Sequence, residues 1–499
     1  MTRSADQPAR SWSAGRLASA VRSLLPAGGF ARGVVTLSGA TAISQLVTVA
    51  ALPVLTRLYD PHAFGVAGAY AGMIGLVVVV ATFRYELAIP LPRSDRGGLH
   101  VAAISLFALL FIAIAAGLAA PFVFSQWVGE ETGLSSSAFA ALVVVGTLTA
   151  GAYAIANYWA VRKSRFGVIA RTRIQQGVAG AGTQLALGFA GFGALGLILG
   201  QIIGQCAGLI RLAANMAADN RRTGARIHRH GLAWAASRYR RFPLYDSWAG
   251  LLNVAGAQAP MLLFAALFSP VLAGYYALSV RLLSAPLSLV GKAVSQVLLP
   301  RIVEAGRRGE AAQLVLRLIN ILAWLSFVPF TIVALTAQDL VPKVFGSEWA
   351  PAAMVVSWTA IWAAFQFVCS PLSSVLIGIE AQRLNAFLQS TVLITRVVAL
   401  FGGAILGDAE LALAAFSVAS AISYAGYTLA TGLAVSLSVQ AIAFAIFRPV
   451  MLAGVGMAVA LGLLNSFMFL GSYLAIATMI AIWVYCSWRN IRLYFRVAR

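Results

Sequence analysis

The stretch LHVAAISLFALLFIAIAAGLAAPF, residues 99–122, is too long for a barrel strand and has no charged side chain apart from a histidine. Runs like it recur along the chain, which has 499 residues, 60% of them hydrophobic and 10% charged. In lipid, backbone polar groups must be satisfied internally, so only helices and closed barrels can span. Barrel strands need about 9–11 alternating residues, and these runs neither alternate nor stop at that length. The chain is therefore expected to be an all-α polytopic membrane protein.

Composition supports this. The mean hydropathy is +0.86. A net charge of +21 would suggest nucleic acid in a soluble domain. Here the basic residues punctuate apolar runs, so insertion topology accounts for them and no nucleic-acid partner is expected. Cys206, Cys369 and Cys486 fall in separate apolar runs without metal-ligand spacing. Residues 1–32 are polar and basic and lack a signal-peptide core followed by a cleavage site. A weakly amphipathic segment around Trp12, Leu17, Val21 and Leu24 is a candidate for the membrane surface.

At about 17–25 apolar residues per span, fourteen spans are expected: 34–55, 63–89, 99–122, 137–161, 174–190, 193–215, 247–268, 271–299, 314–336, 351–378, 384–406, 410–435, 440–464 and 466–488. The fifth is short and glycine-rich. Lys and Arg crowd one set of alternating segments, whereas the opposite loops hold Arg57 and Lys343. That bias places both termini in the cytoplasm. The expected units are a basic tail (1–32), a first lobe of spans one to six (33–215), a basic linker (216–246), a second lobe of spans seven to twelve (247–435), and spans thirteen and fourteen with a basic tail (436–499).

The two lobes carry a faint repeat. ALPVLTRLYDPHAFGVAGAY resembles QAPMLLFAALFSPVLAGYYALS, with Pro61 and Gly65 matching Pro270 and Gly274. Six spans separate the copies, so two pseudo-symmetric lobes would share one orientation. On this register Arg84 falls within one residue of Lys292. Gly196, Gly200, Gly204 and Gly208 recur every four residues and form a ridge for close helix packing.

The eighth span raises a charge problem. It carries Arg281 and Lys292 and no acid, and a mid-membrane cation costs roughly 2.5–3.5 kcal/mol even on the lenient insertion scale. Eleven residues make about three helical turns, so the two cations share a face, roughly 16 Å apart. Ser284, Ser288 and Ser295 fall on the same stripe and Pro286 on the opposite side. Such a helix suits the wall of a wet cavity that wants phosphate or carboxylate. Arg84 and Arg396 are further candidates, with Gln45, Asn253, Gln258 and Gln296 as polar lining. Glu86 and Asp246 are the acids nearest membrane depth. In a continuous helix Glu86 would lie nearly opposite Arg84 and would not neutralise it. A pairing of Glu86 with a cation on another span, snorkelling of Arg84, and a structural ion pair for Arg396 are the alternative readings.

Several stretches resemble the bacterial polysaccharide flippases of the multidrug/oligosaccharidyl-lipid/polysaccharide exporter superfamily. They are LTRLYDPHAFG (55–65), FRYELAIPLPRSD (83–95), YRRFPLYDSWAGLLNVAGAQAPMLLF (239–264), GYYALSVRLLSAPLSLVGKAVSQVLLPRI (274–302) and VFGSEWAPAAMVV (344–356). The resemblance implies a two-lobe bundle in the bacterial inner membrane that opens alternately to each side. Its substrate would be an undecaprenyl-diphosphate-linked oligosaccharide, with the lipid bilayer, a polysaccharide polymerase and chain-length machinery as further partners. It also implies a prenyl-tail groove formed by spans thirteen and fourteen, and no cofactor. Drug-extruding relatives use an acid in their first helix for ion coupling; span one here has none.

Rival expectations are a peptidoglycan lipid-precursor flippase, which shares the diphosphate-prenyl handle, and an organic-cation exporter, which the sign of the charge disfavours. A polymerase or ligase would need a large outer loop, and the loops are short. No lysine sits in a GxxxxGK[ST] phosphate loop. The expectation is a transporter, not an enzyme.

Overall fold

The computed structural model describes residues 29–127, 135–224, 226–465 and 477–487, and among them every regular element is helical. The basic tails, the segment around Trp12 and the start of the fourteenth expected span lie outside the described residues. A first group comprises α1 (Gly29–Leu58), α2 (Pro61–Ala81), α3 (Asp95–Trp127), α4 (Ser136–Arg162), α5 (Phe166–Phe189) and α6 (Gly193–Thr223). After a short linking helix, α7 (Arg229–Arg238), come α8 (Ser247–Leu267), α9 (Pro270–Arg308) and α10 (Ala311–Phe345). The second group is completed by α11 (Ala352–Cys369), which continues through a 3-10 turn into α12 (Ser373–Gly378), then α13 (Gln382–Ile405) and α14 (Ala409–Ala434). The chain ends in α15 (Val439–Asn465) and a short apolar helix, α16 (Ala477–Ser487).

Among the described residues, eleven helices are long and apolar enough to cross a membrane. The other three expected spans fall on α5, which carries Arg171 and Arg173, on α9 with its cations, and on the short α16. The protein is a multi-pass membrane protein.

The two groups use one packing plan. In the first, α1 lies on α5, α3 on α4, α4 on α6 and α5 on α6; in the second, α8 lies on α13, α10 on α11, α11 on α14 and α13 on α14. Local chemistry repeats too. Asp60 caps α2 by accepting from the Ala63 amide at 2.7 Å, and Ser269 caps α9 by accepting from the Leu272 amide at 3.1 Å. Each cap precedes a proline at the first helical position, where a missing N–H costs nothing. At these caps the groups meet reciprocally. A Cβ on Gly65 would collide with the Pro270 carbonyl, and one on Gly274 with the Pro61 carbonyl. We call this the far end, and the end bearing α7 the basic end.

From that contact α2 runs along α8, with Gly68 against Met261, Gly72 against Leu262 and Gly75 against Gln258. The glycine ridge of α6 faces α5. Gly200 and Gly204 pack on the backbone at Gly180, and Gly208 packs on Gln176 and Tyr153. Outside the second group α15 packs on α10, and Trp483 of α16 donates to the Trp324 carbonyl at 2.7 Å.

Several helices run past their expected bounds, α9 to Arg308 and α10 to Phe345 among them, and three spans differ in kind. The second span is not one helix over 63–89, because α2 stops at Ala81 and a separate 3-10 turn spans Tyr85–Ala88. The fifth begins at Phe166 rather than 174, since Arg173 finds the Tyr153 ring at 5.4 Å and the basic stretch continues the helix. The tenth breaks at Ser370–Leu372, beside Pro371.

Gly204→Leu should force α5 and α6 apart and cost about 1–3 kcal/mol, a clear fall in thermal stability of the purified protein. Gly39→Leu, at a position with open space around it, should change stability little.

Candidate functional site

The 39-residue α9 has two unlike faces. On one lie Arg281, Ser284 and Ser288; the two serines return hydrogen bonds to the carbonyls of Arg281 and Ala285 at 3.2 and 3.1 Å. The Arg281 guanidinium stands 5.3 Å over the Phe64 ring of α2. Among the described residues no carboxylate lies within ion-pair distance of it. On the other face Leu282, Leu283 and Pro286 line a groove of about 570 Å³, closed by Pro329, Phe330 and Val341 of α10 and by Trp483 of α16. No charged side chain lines it. The side chains of Lys292 and Gln296 lie outside the described residues; among the described ones, Arg281 is the cation of this stripe.

Above Arg281 the far end is shut. Trp349, fully buried, donates from its indole to the Thr56 carbonyl at 2.8 Å and meets Phe64 edge-on at 4.9 Å. Guanidinium, phenyl and indole thus form one stack from the interior to the far-end seam. Gly346, at φ 108°, turns the chain so that this tryptophan enters the first group. In the sequence, VFGSEWAPAAMVV stands out only by resemblance; the latch is not legible there, because its partners lie almost three hundred positions upstream.

Arg84 and Glu86 follow a different rule from the one a continuous helix sets. Phe83 and Arg84 adopt left-handed backbone conformations, φ 47° and 59°, at a cost of order 1 kcal/mol or more each for non-glycine residues. The break brings Arg84 and Glu86 together at 3.9 Å, correcting the expectation that they face apart. Glu86 is 4% exposed and also accepts a short hydrogen bond from Thr82. Arg84 packs on Gly250 of α8, where any side chain would displace it. Nearby, Arg162 donates to the Ile89, Pro90 and Pro92 carbonyls and, with Lys163, holds Asp95. These bonds fix the loop that leads into α3.

Arg396 lies inside the second group, 5% exposed. It donates to Ser420 at 3.0 Å, to the Gly256 carbonyl at 3.3 Å and to the Tyr424 hydroxyl at 3.0 Å. The rings of Trp362, Tyr424 and Phe416 surround it at 4.9, 5.0 and 5.5 Å. It borders a cavity of about 610 Å³ that Asn253 also lines. The first group has a smaller cavity of about 210 Å³, between Tyr70, Thr149 and Gln205, without a charged residue. Gln258 packs against Gly75 at the α2–α8 seam, Gln45 is half-buried on α1, and Asp246 is exposed before α8. Of the expected cations, the described Arg281, Arg84 and Arg396 therefore sit against three separate sets of neighbours rather than in one cluster.

A family model described as polysaccharide biosynthesis protein matches residues 54–354. No curated protein sequence matches the chain. Solved structures match in fold. One described as the lipid II flippase MurJ, inward closed conformation, aligns at TM-score 0.67 and 12% identity, covering 93% of this chain and 100% of that one. A Vibrio cholerae MATE transporter, VcmN, aligns at TM-score 0.51 and 14% identity over 83% and 98% of the two chains. An inward-facing multidrug resistance MATE family transporter of the MOP superfamily aligns at 0.50 and 14% identity over 80% and 94%. At these identities the likeness is one of fold.

Trp349→Ala should cost roughly 3–5 kcal/mol in the far-end contact. A cysteine placed at Thr56 should then react faster with a membrane-impermeant maleimide. Replacing both Arg84 and Glu86 by glutamine should cost less than the sum of the single changes, by a coupling on the order of 1 kcal/mol, read from thermal unfolding.

Proposed function

The chain belongs to the polysaccharide biosynthesis protein family, and on that premise we propose that it is a flippase. Its substrate is an undecaprenyl-diphosphate-linked oligosaccharide repeat unit for surface polysaccharide. It moves that lipid from the cytoplasmic to the periplasmic leaflet of the bacterial inner membrane, both termini being cytoplasmic. The observation that carries this reading is the double character of α9, with a cation on one face and a wholly uncharged groove along the other. An amphiphile with an anionic head and a long apolar tail has that division of chemistry.

In this reading Arg281 holds the diphosphate, with bidentate contact to its oxygens. Lys292 adds positive potential nearer the basic end, and Arg84, paired with Glu86, shapes that end. The tail occupies the groove between α9, α10 and α16, and polar residues of the helix bundle host the sugars. The shut far end, with Trp349 and the Gly65–Gly274 contact, supports a state open toward the cytoplasm. Transport then requires the groups to part at the far end and meet at the basic end. A second reading, in which the lipid is a peptidoglycan precursor, is favoured by the fold match to a lipid II flippase.

Both readings are tested in proteoliposomes carrying fluorescent prenyl-diphosphate saccharides. Arg281→Gln should slow translocation at least tenfold and Arg281→Lys less; an unchanged rate with Arg281→Gln overturns the headgroup role. Faster flipping of a muramyl-pentapeptide lipid than of a surface-glycan repeat would select the second reading. Two negative charges moving outward gain about 4–5 kcal/mol per 100 mV of inside-negative potential. The rate should therefore rise on polarising the vesicles and fall on collapsing the potential.

A further inference from the structure

We propose that the cavity inside the second helix group is a saccharide subsite that selects a repeat unit bearing a carboxylate, with Arg396 receiving it. The inference deepens the flippase reading and rests on it. The cavity, at about 610 Å³, falls within the roughly 300–1,000 Å³ of small-ligand pockets. It lies between α8, the α11–α12 break, α13 and α14, and opens toward the basic end, where Gln382 begins α13.

Its chemistry is specific. Asn253, Asn385, Gln366 and Gln389 line it with amides, which both donate to and accept from sugar hydroxyls. Among the described residues, Arg396 is the one charged residue in the lining, and no acid is present there. A guanidinium has five N–H donors. Three donate to Ser420, Gly256 and Tyr424, leaving one on each terminal nitrogen, the number that the two oxygens of a carboxylate take. Its neighbours are neutral dipoles and ring faces, which hold the guanidinium in place without cancelling its charge. A fixed cation at the floor of an amide-lined pocket is complementary to a uronic acid. The cavity of the first group lacks the cation, so acid selection belongs to one half.

The test is direct binding, with no translocation step. The full chain in nanodiscs is titrated calorimetrically with a glucuronate-terminated disaccharide, its methyl ester and the neutral disaccharide. The acid should bind at least tenfold tighter than the ester. Arg396→Gln should bring the two within threefold, and Gln389→Ala should weaken both alike. Equal binding of acid and ester by the unaltered protein overturns the proposal, as does a preference that survives Arg396→Gln or indifference to Gln389→Ala. Should Arg396→Gln fail to fold, the acid–ester comparison and Gln389→Ala decide. Geranyl diphosphate is titrated in parallel. If it displaces the uronate, the cavity is a phosphate site and the proposal falls. Its own binding, sensitive to Arg281→Gln, reports on the headgroup reading separately, so either reading can fail alone.

Discussion

A guanidinium buried among membrane helices must be compensated, and most of what is distinctive here follows from how this is done without carboxylates. Desolvating an ion costs several kcal/mol even after relaxation. Arg281 rests on a phenyl face, and Arg396 is held by three rings, two hydroxyls and a carbonyl. Ring quadrupoles and neutral dipoles lower the cost of burial but leave the net charge in place. The interior consequently keeps a positive potential. Arg84 is the contrasting case: Glu86 lies beside it, in a backbone break that makes the pairing possible.

The same economy couples the interior to the seam. Phe64 serves Arg281 on one side and Trp349 on the other, and Trp349 is bonded to α1. A ligand that draws Arg281 away from Phe64 removes one support of the far-end contact. The seam below it is bare glycine, Gly65 against Gly274, where backbones touch without interlocking side chains. Such a contact can part with little repacking, as the proposed transport cycle requires. In the proposed flippase reading, the uncharged groove on the back of α9 keeps the apolar tail away from this contact.

Pseudo-symmetry is kept at the far end and lost toward the basic end. The paired caps, prolines and glycines of α2 and α9 match. Beyond them α2 stops at Ala81, while α9 continues as helix to Arg308. The cavities diverge in the same way, one small and uncharged, the other large and floored by Arg396. The shared part is backbone contact between the groups, and the divergent part holds the polar and charged side chains on which the proposed ligand selection rests.

The sequence by itself determined the all-helical membrane class, the approximate positions of most helices, the matched Pro61–Gly65 and Pro270–Gly274 pairs, the glycine ridge of α6 and the polar stripe of α9. Hydropathy, capping and helical periodicity are local properties, set by residues within a few turns of one another. Tertiary structure alone decided that α2 would break after Ala81, since no glycine or proline marks the spot and the break lets Arg84 pack on Gly250 of α8. It also decided that Gln258 would fill a seam, that Arg396 would floor a cavity inside one half, and that Trp349 would latch the two halves. Each of those outcomes depends on a partner dozens to hundreds of positions away or on a departure from regular helix, and local periodicity carries no record of either.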